Sequence, residues 1–174
     1  MARFDKYTFK EYSANFPELF TKERNKLKRI LTTDARIEHC GSSAIKGLGG
    51  KGIIDIFISV NKKDMRKNRI KLQKSGYVFK PSGGSKERDY FEREYVYGGN
   101  ARRVHLHLTS HNSFEIRRAV ALVKYLRTHP VELKQYATIK KKAVKYAKGE
   151  GKKYREYKQG FLERLGEKAL REFG

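Results

Sequence analysis

Glu38-His39-Cys40-Gly41-Ser42-Ser43-Ala44-Ile45-Lys46-Gly47-Leu48, followed past Lys51 by Ile53-Ile54-Asp55-Ile56-Phe57-Ile58-Ser59-Val60, is the stretch that decides the fold. Its second half is the strongest strand signal in the chain, and the near-continuous apolar run predicts a strand covered on both faces. Arg36-Ile37-Glu38-His39 reads as a shorter strand that stops at Gly41. Between the two strands, Gly41-Ser42 opens a short helical turn. Glycine lets an anion approach the backbone with no Cβ in the way, and the next N–H groups point outward at a helix start. The Ser42 hydroxyl adds a donor. Asp55, on the following strand, is placed to hold Mg²⁺ against the same phosphates, because magnesium is usually held by one or two carboxylates plus phosphate oxygens. By itself, a Gly-Ser followed by an Asp equally describes a capped turn and a surface aspartate.

On the N-terminal side, Pro17 suits the first turn of a helix whose stripe is Leu19, Phe20, Leu27, Ile30 and Leu31. On the C-terminal side, Asp64 to Lys74 reads as a helix ending at Ser75-Gly76, and Tyr77-Val78-Phe79 as a brief strand before the loop Pro81-Ser82-Gly83-Gly84-Ser85. Tyr90 to Tyr97 and Arg103 to Thr109 form a hairpin through Gly98-Gly99-Asn100. The last third is helical. Asn112 is the expected N-cap, with Glu115 completing a capping box, and Ile116, Ala119, Val120, Val123 and Leu126 recur at helical spacing. A second helix from Pro130 is expected to bury Tyr136, Ile139, Ala143 and Tyr146. After Gly149-Glu150-Gly151, a third carries Tyr154, Tyr157, Phe161, Leu165 and Ala169. Lys140, Lys141, Lys142, Lys145, Lys148, Lys152 and Lys153 are assigned to exposed faces. The expected architecture is one α/β (α+β) domain over residues 1–174: a mixed sheet with flanking helices in 1–111 and a helical part in 112–174.

Charge narrows the partners. Lys and Arg total 41 against 19 Asp and Glu, a formal net charge of +22. Phosphate-bearing molecules neutralise such a surface, so a nucleotide, a phosphorylated metabolite or RNA is the expected partner. No apolar stretch approaches the roughly 20 residues of a membrane span. Met1-Ala2-Arg3-Phe4-Asp5 lacks a signal-peptide core, and the single Cys40 has no internal disulfide partner. These features predict a cytoplasmic protein with no membrane partner.

The string from Glu38 to Leu48 resembles the GrpB family, in which Glu-His-x-Gly-Ser-Thr-Ser-Val-Pro-Gly-Leu is followed by Lys-Pro and Ile-Asp-Ile. Further matches fall at Gly76-Tyr77, Arg88 and Phe91, His105-Leu106-His107-Leu108, Tyr125-Leu126-Arg127, Pro130, Tyr136 and Tyr157-Lys158. The resemblance implies a branch of the nucleotidyltransferase superfamily, whose signature is Gly-Ser followed by an Asp-x-Asp strand, and with it the fold and a nucleotide pocket. Lys51 matches the family lysine. The chain departs from the pattern at Ser43 and Ala44, where the family prefers Thr and Ser, and at Lys46 and Gly52, which replace prolines. Phe57 stands where the superfamily has its second carboxylate, on the same strand face as Asp55.

His105 and His107, two apart on one strand, also project to a single face. With Asp55 they make a possible ligand set for a divalent metal: Mg²⁺ or Mn²⁺ through the carboxylate, or Zn²⁺ through the imidazoles. The same pair equally suits hydrogen bonding to phosphate or to a carboxylate without metal. Arg88 and Arg103 flank the region, and arginine suits bidentate phosphate contact. The expected phosphate-binding set is therefore Gly41, Ser42, Ser43, Lys51, Arg88 and Arg103, with Asp55 as the catalytic residue. Three functions remain open on these grounds. They are a nucleotide binder that transfers a nucleotidyl group, a catalytically silent module for RNA or a phosphometabolite, and an accessory domain in coenzyme A metabolism.

Overall fold

The computed structural model describes residues 8–174, so the reading of Met1 to Asp5 lies outside the described residues. Helix α1 (Phe16–Ile30) leads to β1 (Arg36–Cys40), which pairs antiparallel with β2 (Ile53–Val60). Helix α2 (Met65–Lys74) and β3 (Val78–Phe79) follow, then the hairpin of β4 (Arg88–Tyr97) and β5 (Asn100–Ser110). The sheet order is β1-β2-β5-β4-β3, with β2 and β5 parallel and the remaining pairs antiparallel. This is the mixed α/β sheet with flanking helices that the patterning predicts.

Strand parity divides the molecule. Side chains alternate along a strand, and the even-numbered Ile54, Ile56 and Ile58 of β2 share the buried face with Val104, Leu106 and Leu108 of β5. Leu19 and Leu27 of α1 and Leu72 of α2 cover that face. Buried under the same cover, Glu23 of α1 accepts from the Tyr77 hydroxyl and from Arg93 of β4 at 2.5 Å. The odd-numbered residues face the other way. The parallel register aligns Asp55 with His105 and Phe57 with His107, so Asp55 and the two histidines collect on one face.

Helices α3 (Phe114–Thr128), α4 (Pro130–Ala147) and α5 (Gly151–Phe173) cover part of that second face. Leu126, Tyr136, Leu165 and Ala169 pack there with Cys40, Ile45 and Leu48. The near-continuous apolar run of β2 is accounted for, because both faces are covered.

Four local expectations are corrected. The N-cap of α3 is Ser113, whose hydroxyl accepts from the Ile116 N–H, while Asn112 precedes it with a left-handed φ of 59°. Glu115 accordingly turns away from a capping box and pairs with Arg88 and Ser85. The hairpin turn is the two residues Gly98 and Gly99, with φ of 57° and 74°, and Asn100 already belongs to β5. On α4 the buried stripe is Tyr136, Lys140, Ala143 and Ala147, so Lys140 is buried and Tyr146 exposed, the reverse of the expectation. Tyr157 of α5 is likewise exposed. Spacing of four, three and four residues places a stripe on one helix face whatever the side chains are, and Tyr146 falls one residue outside it.

Candidate functional site

β1 ends where Gly41 adopts φ 66°, ψ −169°, a backbone region that only glycine enters easily. The chain then makes a short 3-10 turn, Ser42–Ala44. A Cβ on Gly41 would lie 2.3 Å from Asp55 Oδ2, so glycine here also lets the turn lie against the β2 carboxylate. Ser43 does not face the same way. It is buried, its hydroxyl lies 3.0 Å from His39 Nε2, and His39 in turn stacks on Phe20 of α1. Burial holds His39 down to about 4, with Arg127 adding to the effect against Asp55, so a neutral imidazole anchors the turn from behind. Ser43 supports the turn and does not line its mouth.

Asp55 stands at the junction of two cavities. The smaller, of about 230 Å³, is lined by Gly41, Ser42, Lys51, His105, Lys140 and Lys158 among others, and the larger, of about 550 Å³, is mostly apolar. Lys140 reaches the smaller cavity from α4 and Lys158 from α5. Gly50 makes room for this convergence, since a Cβ there would sit 2.5 Å from Lys140 Nζ and 2.6 Å from Ser42 Oγ. The ammonium of Lys140 lies 5.4 Å from the Tyr136 ring centroid, and that of Lys158 lies 4.8 Å from the Tyr154 ring centroid. Among the described residues, neither has a carboxylate at ion-pairing distance. Several lysines gathered around the single carboxylate Asp55 in a concave, part-buried place leave an excess of positive charge that favours an anion.

The electrostatics agree. Burial above all, then the Lys158 and Lys51 ammonium groups, hold Lys140 well below the ordinary lysine range, against an opposing pull from Asp55. Burial, with Lys51 and Arg155 in support and Asp55 opposed, holds Lys158 at about 8. The folded value thus lies below the unfolded one of roughly 10.4. Between these limits the unfolded chain binds more protons, so the stability of the ligand-free protein should rise as pH increases from about 8 toward about 10. Thermal melts across that range should show the rise in wild type and a smaller one in Lys158→Met. Equal slopes would mean that Lys158 does not carry the effect.

Burial works to raise the Asp55 carboxyl, but hydrogen bonds from His105 and His107 outweigh it and hold the group well below the usual carboxylate range. Asp55 Oδ1 lies 3.2 Å from His105 Nδ1 and 3.8 Å from His107 Nε2, and 27% of the Asp55 side chain stays exposed. Burial pushes His107 down, with Arg88 contributing and Asp55 opposing, so this imidazole is neutral near pH 7. Its Nδ1 accepts from Arg88 at 2.6 Å, which leaves the proton on Nε2, facing Asp55. A neutral N–H donor is enough to favour the carboxylate.

Of the expected phosphate-binding residues, Gly41, Ser42 and Lys51 line the smaller cavity and Ser43 lies behind it. Arg88 lines the apolar cavity instead, where it bonds His107 and the Gly83 carbonyl and pairs with Glu115. Arg103 pairs with Glu94 and lies 3.8 Å from Glu92. Both guanidiniums thus have carboxylate partners, for the plain reason that each faces an acidic residue across a strand pair or on α3. Asp55, His105 and His107 do come together. The residues missed from the sequence are Lys140, Lys158 and Glu92, the last opposite His105 with its Oε1 3.6 Å from Nε2. A charged residue on the apolar stripe of α4 was the available signal for Lys140.

The GrpB family model, described as "GrpB protein", matches residues 6–168. This chain belongs to the GrpB family. A Halalkalibacterium halodurans relative, "UPF0157 protein BH1888", is 28% identical over 93% of this chain and 82% of its own. The crystal structure of the conserved protein GrpB from Enterococcus faecalis superposes with a TM-score of 0.82 at 27% identity, covering 95% of this chain and 99% of that one. Cid1 in complex with the UTP analogue UMPNPP matches at a TM-score of 0.50 and 17% identity, over 79% of this GrpB chain and 42% of Cid1. That last likeness establishes a nucleotidyltransferase-like fold and nothing finer. No helix among the described residues is long and apolar enough to cross a membrane.

Proposed function

We propose that this GrpB protein binds the polyphosphate of a nucleoside triphosphate in the lysine-lined cavity, working in the cytoplasm. The observation that carries the reading is the convergence of Lys51, Lys140 and Lys158 with Gly41 and Ser42 on one small cavity beside Asp55. The UTP analogue bound by Cid1, on the same fold, supports a nucleotide over a simple phosphorylated metabolite.

The residues fit one hard divalent cation, Mg²⁺ or Mn²⁺, and do not fit the Asp-His-His set. Asp55 offers a carboxylate that keeps some exposure. Phe57, stacked on His107 with ring centroids 4.4 Å apart, takes the place of a second. His107 turns a protonated nitrogen to the site because Arg88 occupies the other. Consistently, no group of three or more His, Cys, Asp or Glu side chains among the described residues is arranged to hold a metal. A cation on Asp55 would complete its shell with phosphate oxygens and water, neutralise charge on the phosphates and polarise the α-phosphate. The chain's own residues bind and orient. Lys51, Lys140 and Lys158 neutralise the phosphates, Gly41 and Ser42 present donors, and His105 and His107 keep Asp55 ionised.

In nucleotidyl transfer an acceptor oxygen would bond to the α-phosphorus while the α–β bridging P–O bond breaks and pyrophosphate leaves. With one carboxylate instead of two, binding should be robust and transfer slow or absent. Asp55→Asn tests the cation. Titrations of nucleoside triphosphate with and without Mg²⁺ should find the Mg²⁺-dependent gain in affinity lost, while metal-free tripolyphosphate binds at least as tightly. A Mg²⁺ gain that survives in Asp55→Asn would remove Asp55 from the site.

Exposed Lys141, Lys142, Lys145, Lys148, Lys152 and Lys153, within a net charge of +22, favour a second reading in which the outer surface also holds RNA. Affinity for single-stranded RNA should then fall steeply between about 50 and 200 mM salt. A flat response in a filter-binding titration would confine phosphate recognition to the cavity.

A further inference from the structure

The larger cavity is unlike its neighbour. Ile45, Leu48, Phe57, Leu122, Leu126 and Leu162 give it apolar walls between the sheet and helices α3 and α5, and its volume of about 550 Å³ is that of a small-molecule site. It shares Gly41, Ser42, Asp55 and Tyr136 with the lysine cavity, so occupants of the two would meet at the carboxylate.

Three charged side chains besides Asp55 line this cavity: Arg88, Glu115 and Arg118. Arg88 and Glu115 neutralise each other. Arg118, part-buried on α3, spends one donor on the Leu162 carbonyl at 3.1 Å, and a Cβ on Gly166 of α5 would lie 2.5 Å from its Nε. No carboxylate pairs with Arg118 among the described residues. A guanidinium left without a counter-charge in an apolar enclosure is a site for an anionic group, and its planar fork matches a carboxylate best. A nucleobase would use neither the charge nor the extent of apolar wall.

We propose that the apolar cavity binds a second ligand, a small carboxylic acid with an apolar body whose carboxylate pairs with Arg118. That it is a second ligand, meeting a triphosphate at Asp55, rests on the triphosphate reading above. The end of the molecule that reaches Asp55 then faces the phosphates held by the lysines. An RNA 3′ end, polyanionic along its length, does not suit these walls.

The test uses octanoate and 3-phenylpropionate, with their neutral amides as controls, titrated by ligand-observed NMR against the full chain with and without saturating inorganic tripolyphosphate. Both acids should bind in either condition, and more tightly than their amides. Arg118→Gln should weaken the acids about tenfold, as for the loss of a charged hydrogen bond, and leave the amides unchanged. Ala119→Phe, which fills the cavity from α3, should abolish binding of both. In each variant an unchanged tripolyphosphate affinity reports an intact fold and an intact lysine cavity. The proposal is overturned if acids and amides bind alike, if neither binds wild type, or if Ala119→Phe binds both as before. It is also overturned if nucleoside triphosphate displaces the acids while tripolyphosphate does not, because the cavity then belongs to the base. Acids that bind while tripolyphosphate fails to bind would leave this site standing and remove the triphosphate reading instead.

Discussion

A Gly41→Ala protein is expected to lose triphosphate binding altogether and to melt several degrees below wild type. Two independent penalties meet at this residue. The backbone at φ 66°, ψ −169° costs a residue with a Cβ about 1–3 kcal/mol, and in a chain of this size each kcal/mol lowers the melting temperature by roughly 2–4 °C. The new methyl would also lie 2.3 Å from Asp55 Oδ2, so the carboxylate must move or the turn must open. Movement of Asp55 breaks its alignment with His105 and His107, and opening of the turn displaces Ser42 from the cavity it lines. Calorimetric titration of the folded variant with tripolyphosphate and with Mg²⁺-bound triphosphate checks both. Wild-type affinity in Gly41→Ala would place the anion elsewhere.

Lys140→Met should move stability and binding in opposite directions. A buried ammonium without a carboxylate partner penalises the ligand-free fold, and methionine fills a similar volume without charge. The ligand-free variant should therefore resist urea better than wild type, with an unchanged slope of the unfolding curve. Loss of one charge-assisted hydrogen bond to phosphate is worth about 1.5–3 kcal/mol, which weakens triphosphate binding by roughly ten- to hundredfold. A residue kept against the stability of its own fold is one kept for a ligand. A variant that is less stable yet binds triphosphate normally would mark Lys140 as a packing residue, and the cavity would lose its main support.

Much of this was legible one residue at a time. The continuous apolar run of Ile53–Val60 and the alternation from Arg103 to Thr109 mark strands, because side chains two apart share a face regardless of what lies beyond the strand. The same rule puts Asp55 and Phe57 on one face and His105 and His107 on another strand's single face, so their relation within each strand was readable. Gly41 announces a turn that no other residue enters easily. The helix that caps from Ser113 and the stripe on α4 were less legible, since Asn112 and Ser113 are both good capping residues and Tyr146 looks like core. Local chemistry offered two answers there, and packing chose.

The sequence alone determined the strands, the Gly41-Ser42 turn and an excess of positive charge in search of phosphate. Tertiary structure decided which charges meet. Parallel pairing of β2 with β5 set Asp55 beside His105, and the antiparallel hairpin brought Glu92 to the far side of that imidazole. Packing of α4 and α5 against the turn carried Lys140 and Lys158, 99 and more residues downstream of Gly41, into the cavity it opens. The β4–β5 hairpin left Arg103 to a neighbouring strand's glutamate, and the placing of α3 left Arg88 to Glu115. Periodicity is a property of the local backbone and survives in one dimension. Whether a cation ends beside a carboxylate or beside another cation depends on how separate elements stack, and that is set by burial summed over the whole core.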